Sequence, residues 1–160
     1  MAIASFRAGE TIAAGDAVYV DPSDGLIFKA SALNATQASV VGVAIDSGSV
    51  GTLIRVNADG IYPGLSGLSP GEYQYLSVTT SGALVDYATW SAELATVSVN
   101  AYVTNIGRAT SATQLAVEID PPTLVVNPTS VLMLESSSGI TIDAILLEDG
   151  STIDLETASV

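Results

Sequence analysis

The sequence predicts an all-β protein: a barrel- or sandwich-like domain built from two similar halves, followed by a short β-rich C-terminal extension. Three observations carry this. Val, Ile, Thr and Ser dominate the patterned segments, and Gly punctuates them, which is the composition of strands joined by tight turns. Apolar residues recur with period two in Thr52–Asn57, around Tyr73–Leu76, from Val97 to Val103 and in Gln114–Asp120. Finally, a three-part pattern occurs twice. Gly15-Asp16 leads into Ala17-Val18-Tyr19-Val20, an Asp-Pro-Ser-Asp-Gly turn ending at Gly25 leads into Leu26-Ile27-Phe28, and a variable loop leads into Val40–Ile45. The same parts return as Gly71-Glu72 before Tyr73-Gln74-Tyr75-Leu76, Gly82 before Ala83-Leu84-Val85, and a longer loop before Asn105–Ala109. Matching glycines lie 56 (Gly15, Gly71), 57 (Gly25, Gly82) and 65 (Gly42, Gly107) positions apart, the offset growing in the loop that tolerates insertion best.

In chain order, residues 1–13 are mixed, with Ile3, Phe6 and Ile12 as apolar anchors of either an edge strand or an arm. Ala17–Asp21 and Leu26–Ala30 form a hairpin whose Gly25 supplies a positive φ. Ser31–Ser39 reads as a loop in preference to a helical turn. Val40–Ile45 is apolar throughout, as in a strand buried on both faces, and Gly42 within it signals a bulge or a close backbone contact. After a turn at Ser47–Gly51, Thr52–Asn57 alternates. Asp59-Gly60 predicts a turn, Ile61-Tyr62 a short strand, and Gly64–Gly71 the hinge between halves 14–62 and 68–120. On the next strand Tyr73 and Tyr75 share one face, with Gln74 and Leu76 on the other. Ala88–Ala95 is the best helix candidate, though two turns need tertiary packing. Val97, Val99, Ala101 and Val103 predict a strand, and Gln114–Asp120 closes the domain.

Pro121-Pro122 predicts the end of this 1–120 domain. The extension 121–160 holds six acids and no base, yet carries Leu132, Met133, Leu134, Ile140, Ile142, Ile145, Leu146 and Leu147. So short a segment cannot form its own core. At roughly 1.5–3 kcal/mol per buried side chain, these residues must find cover on the first domain or on another chain. The second is the favoured reading, and with Ile3, Phe6 and Ile12 they are the candidate assembly contacts.

Composition excludes several functions. Seventeen acids against Arg7, Lys29, Arg55 and Arg108 give a net charge of −13, the wrong sign for phosphate backbones or anionic membrane surfaces. Neither nucleic acid nor membrane is an expected partner. The first residues lack a signal-peptide profile and no apolar run approaches a membrane span, so a protein made in a cytoplasm is expected. With no Cys and no His, thiol chemistry, the commonest general base and the commonest transition-metal ligand are missing. No Gly-x-Ser-x-Gly elbow, Walker A loop or dinucleotide fingerprint occurs. Lys29, beside Phe28, reads as a snorkelling strand lysine. Asp21/Asp24 and Glu148/Asp149 sit on turns, where carboxylates are ordinary, and match no EF-hand loop. No catalytic residue, cofactor or metal is expected. Tyr62, Tyr73, Tyr75, Tyr87, Trp90 and Tyr102 read ordinarily as half-buried sheet faces, with Tyr73 and Tyr75 the centre of an alternative, a candidate glycan-binding face.

Ala14-Gly15-Asp16-Ala17-Val18-Tyr19-Val20 followed by the Asp-Gly turn and Val41-Gly42-Val43-Ala44 resembles the β domains of tailed-bacteriophage capsid decoration (cement) proteins. Leu68-Ser69-Pro70-Gly71-Glu72-Tyr73 with Ile106-Gly107-Arg108-Ala109 is similar to the companion half seen in phage virion proteins, and Gly139–Gly150 resembles a short phage structural β module. The resemblance implies a non-enzymatic virion protein, assembled in the host cytoplasm. It would form a homotrimer on the capsid surface that bridges subunits of the major capsid protein. The acidic, apolar extension departs from a minimal decoration domain and leaves open a tail or fibre module that binds a receptor or glycan.

Overall fold

The computed structural model describes residues 2–126 and, as backbone, two short strands at Ala144–Leu146 and Thr152–Asp154. The chain divides into two units, Met1–Ser130 and Val131–Val160. In the first unit the strands are β1 (Ala2–Arg7), β2 (Ala17–Val20), β3 (Ile27–Lys29), β4 (Gly42–Ala44), β5 (Leu53–Pro63), β6 (Tyr73–Leu76) and β7 (Leu84–Val85). Helix α1 (Tyr87–Leu94) precedes β8 (Ala101–Val103), β9 (Asn105–Ala109), β10 (Gln114–Val117) and β11 (Thr123–Val125). In the second unit β12 (Ala144–Leu146) pairs antiparallel with β13 (Thr152–Asp154). The fold is all-β, and the main sheet curls into an antiparallel half-barrel. No helix among the described residues is long and apolar enough to cross a membrane.

The strand order, β3-β2-β4-β5-β10-β9-β6-β7, has the same pairing scheme on both sides of the β5–β10 contact. The hydrogen bonds repeat as well. Gly15 N–H donates to Ala44 O and Gly71 N–H to Ala109 O, while Asp21 N–H reaches across its hairpin to Leu26 O as Ser77 N–H does to Ala83 O. Gly42 and Gly107 are needed for one reason. A Cβ on Gly42 would lie 2.6 Å from Asn57 O, and one on Gly107 would lie 2.1 Å from Ala116 O, so each glycine lets its strand press against the strand that follows. Register extends the correspondence to β1, because Ile3 opposes Asn57 as Ile61 opposes Ala116.

That register moves the boundary between halves. Asp59-Gly60 does not turn the chain. Instead β5 runs on for 11 residues, its first part pairing with β1 and β4 and its last four residues with β10. Gly60 takes φ 91° within the strand. Buried Asn57 spans the irregularity, accepting from Asp59 N–H at 3.1 Å and donating to Ile61 O at 3.4 Å. The halves therefore meet inside β5, not at 64–71. Two other boundaries also shift. Thr123–Val125 pairs with β8, so the chain beyond Pro121-Pro122 still belongs to the first unit. The strand expected from Val97 begins only at Ala101, because Thr96 and Val97 N–H groups are used in closing the helix, on Glu93 O and Leu94 O.

The helix lies where Ala88–Ala95 is expected, one residue earlier at each end. Asp86 caps it by accepting from Thr89 N–H at 2.7 Å, a bond that holds the carboxyl below its ordinary value. Buried Trp90 and Leu94 carry it onto the core, and Glu93 fastens it by accepting from Ser77 Oγ and Val78 N–H.

The core has two parts. A larger cluster joins Ala17, Tyr19 and Val43 of the first half to Leu76, Ile106 and Leu115 of the second. A smaller one, Ile12, Val18, Ile27, Ala44, Ile54 and Val56, lies within the first half, with Phe6 packed against it. The first half is thus buried on both sheet faces, which is why Val40–Ile45 lacks polar alternation. The Ser77–Ala83 turn joins the halves: Ala17 N–H donates to Gly82 O and Gly82 N–H to Ala30 O, both at 2.8 Å.

Candidate functional site

Two surfaces stand out on the first unit. The first is β1. Its residues Ala2 to Ser5 and Arg7 are exposed, and Ile3 keeps 46% of its surface. Among the described residues β1 pairs only with β5, leaving its other edge open. At one end Arg7 opposes exposed Leu53 and donates to Gly51 O, next to exposed Val50. At the other, Ile3 borders a hollow of about 250 Å³ with Ile45, Tyr62 and Pro63, rimmed by Arg55. Arg55 is held by a bidentate bond to Asp46, with Nε–Oδ2 at 2.8 Å and Nη2–Oδ1 at 2.7 Å, and those bonds keep the Asp46 carboxyl down at about 2. Of the three N-terminal anchors, Ile3 is available for contact and Phe6 is partly buried. Ile12 is not available: it is 1% exposed, and its backbone is bonded in both directions to Gly48, which turns the side chain into the smaller core.

The second surface is a groove of about 410 Å³ along β6 and β9, lined by Tyr73, Tyr75, Val103, Asn105, Glu118 and Asp120, together with Pro121 and Thr123. Tyr73 is 48% exposed, and the Arg108 guanidinium lies 5.6 Å from its ring centroid while donating to Gly71 O at 2.8 Å. Tyr75 is half-buried and meets Tyr87 edge-on at 5.8 Å, and Tyr87 stacks on Trp90 at 6.2 Å. Burial first, then Tyr73, Tyr87 and Asp120, raises the Tyr75 phenol above its ordinary 10.0. Asn105 is fixed from both ends, donating to Asp120 Oδ2 at 3.0 Å and accepting from Gly107 N–H at 3.2 Å. Among the described residues the Glu118 side chain makes no hydrogen bond or ion pair.

The expected aromatic surface is split by the fold. Tyr73 and Tyr75 come together at the groove. Tyr62 and Trp90 are core residues, Tyr62 donating its hydroxyl to Ala44 O at 3.0 Å. Asn105, Glu118 and Asp120 are not among the expected site residues; the polar positions of the Gln114–Asp120 alternation mark Glu118 and Asp120 but not Asn105. Asp21 and Asp24 serve their turn, accepting from Ser23 N–H and Leu26 N–H. Leu132, Met133, Leu134, Ile140, Ile142 and Leu147, and the side chains of Ile145 and Leu146, lie outside the described residues, as do Glu148 and Asp149. No protein-family model matches the chain, and no curated protein sequence matches it.

Proposed function

We propose that the protein is a non-enzymatic structural component of a virus particle, a capsid decoration protein that bridges neighbouring subunits of the major capsid protein as a homotrimer. One observation carries the reading furthest. Residues Ala2–Ser5 of β1 are exposed and the strand is open along one edge; Ile3 within it, and Val50 and Leu53 beside it, are exposed apolar side chains. An open strand edge is a template for pairing with another chain, and natural proteins usually blunt it when no partner is intended. The apolar residues of the C-terminal extension and the resemblance to phage virion β domains support the same reading. In this role burial across many weak contacts is itself the activity, adding stability to a shell by mass action.

The test is copy number in purified particles, by quantitative gel against the major capsid protein. Hundreds of copies per particle are expected. A handful would place the protein in a tail or fibre, and none would overturn the virion reading. Truncation after Ser130 then separates the two contact elements. Loss of the trimer with retained shell binding assigns trimerisation to the extension and docking to β1.

A further inference from the structure

We propose that the groove along β6 and β9 binds an uncharged oligosaccharide, one sugar ring stacking on Tyr73 while Asn105, Glu118 and Asp120 take its hydroxyl groups. The case begins with the duplication. In the first half, Ala17 opposes Val43 and both are fully buried in the shared core. At the matching place in the second half Tyr73 opposes Arg108, and this face is open. Tyr19 is 6% exposed, whereas its counterpart Tyr75 is half-buried at the groove wall. The same sheet face is packed shut in one half, and in the other it carries a large aromatic ring, a guanidinium behind it and a polar wall.

The chemistry of that wall selects the ligand. Glu118 and Asp120 supply acceptor oxygens, and Asn105, held by Asp120 and Gly107, presents an amide whose orientation is already fixed. Hydroxyl pairs on a sugar match such acceptors, while its C–H face matches Tyr73 and Val103. The two carboxylates, on a chain of net charge −13, disfavour anionic sugars. Arg108, 5.6 Å from the Tyr73 ring centroid, disfavours a second cation on that ring and argues against a basic peptide. A volume of about 410 Å³ falls within the ordinary range for small-ligand sites. The groove and β1 lie on different strands, so this inference stands or falls apart from particle assembly.

The full-length chain would be titrated with maltotetraose, cellotetraose, chitotetraose and mannotetraose, with tetragalacturonate and tetralysine as charged controls. Binding is read by saturation-transfer NMR and amide shifts. At least one neutral tetrasaccharide should bind, with shifts centred on Tyr73, Asn105 and Asp120. Tyr73→Ala should weaken it about tenfold, a loss of about 1.4 kcal/mol, and Tyr73→Phe, which keeps the ring, less than about threefold. Glu118→Ala, a change at an exposed side chain with no partner to strand, gives a second loss of affinity independent of the ring. Binding by none of the four neutral sugars overturns the proposal, as does binding by a charged control alone. Neutral-sugar binding that survives both Tyr73→Ala and Glu118→Ala also overturns it.

Discussion

Replacing Gly107 with alanine tests the close approach on which the second half is built. A Cβ there would lie 2.1 Å from Ala116 O and 3.0 Å from both Ala116 C and Val117 Cα, all backbone atoms that no rotamer change can move. Raising 2.1 Å to a tolerable 3.0 Å requires β9 and β10 to part by about 0.9 Å, stretching ladder bonds of roughly 2.9 Å beyond hydrogen-bonding range. Overpacking typically costs about 1–3 kcal/mol, and each weakened bond about 1 kcal/mol more, so Gly107→Ala should lose about 3–5 kcal/mol. Gly42→Ala is the matched comparison. Its nearest neighbour is the Val56 side chain at 2.4 Å, which can rotate, and the backbone contact with Asn57 O needs only about 0.4 Å of relief from 2.6 Å. That variant should lose about 1–3 kcal/mol. Gly25→Ala meets nothing within 4 Å and bears only the strain of φ 72°, about 1 kcal/mol. Urea unfolding followed by far-UV circular dichroism and Trp90 fluorescence should rank the losses Gly107, Gly42, Gly25. A Gly107→Ala midpoint equal to wild type would refute the argument, as would a larger loss at Gly25.

Other expectations come from single contacts. Asp46 titrates at about 2 in the folded chain against 3.8 ordinarily, so its ionised form stabilises the fold above about pH 4, and that contribution fades as pH falls through 2. Asp46→Asn should lower Tm at neutral pH, and the gap to wild type should close between about pH 4 and pH 2 in a series of melting curves; a constant gap would refute the pairing as its cause. Glu93→Ala removes the acceptor of Ser77 Oγ and Val78 N–H, with Ser77 1% exposed; a loss of about 2 kcal/mol in denaturant unfolding is expected. Cutting the chain between Gly64 and Leu65 separates the last residues of β5 from β10, so neither fragment alone should unfold cooperatively, and mixing them should restore the transition.

The glycines were the readable part of this sequence, because a close strand approach demands Gly at the same place in each half whatever surrounds it. Gly42 and Gly107 therefore disclosed a register that the flanking residues conceal. Asp59-Gly60 misled for a related reason. A positive φ serves a turn or a bulge equally well, and the choice was made by Asn57, whose amide bonds to Asp59 and Ile61 only once the strand is formed. Val97 and Val99 follow strand alternation, but leaving α1 takes the backbone there, and Val99 ends 51% exposed. At the groove, Tyr73 and Tyr75 were legible from period two. Asn105 was not, because its position beside Tyr75 depends on a register shift between Gln74 and Tyr75 in the β6–β9 pairing.

The two halves share a strand plan and use its faces differently. Val20, Val41 and Val56 of the first half correspond in register to Leu76, Ile106 and Leu115 of the second. The second set lies in the shared core, yet its first-half counterparts lie with the smaller cluster, beneath Phe6 and Ile12. The first half meets the shared core through its opposite face, with Ala17, Tyr19 and Val43. Burying that face in one half leaves its copy open in the other, so the duplicated sheet cannot be closed symmetrically. Ala17, Tyr19 and Val43 occupy the closed copy, and Tyr73, Tyr75 and Arg108 occupy the open one. A face freed from core packing can accept a charge such as Arg108, which the buried copy would reject at several kcal/mol. That freedom is the physical origin of the groove.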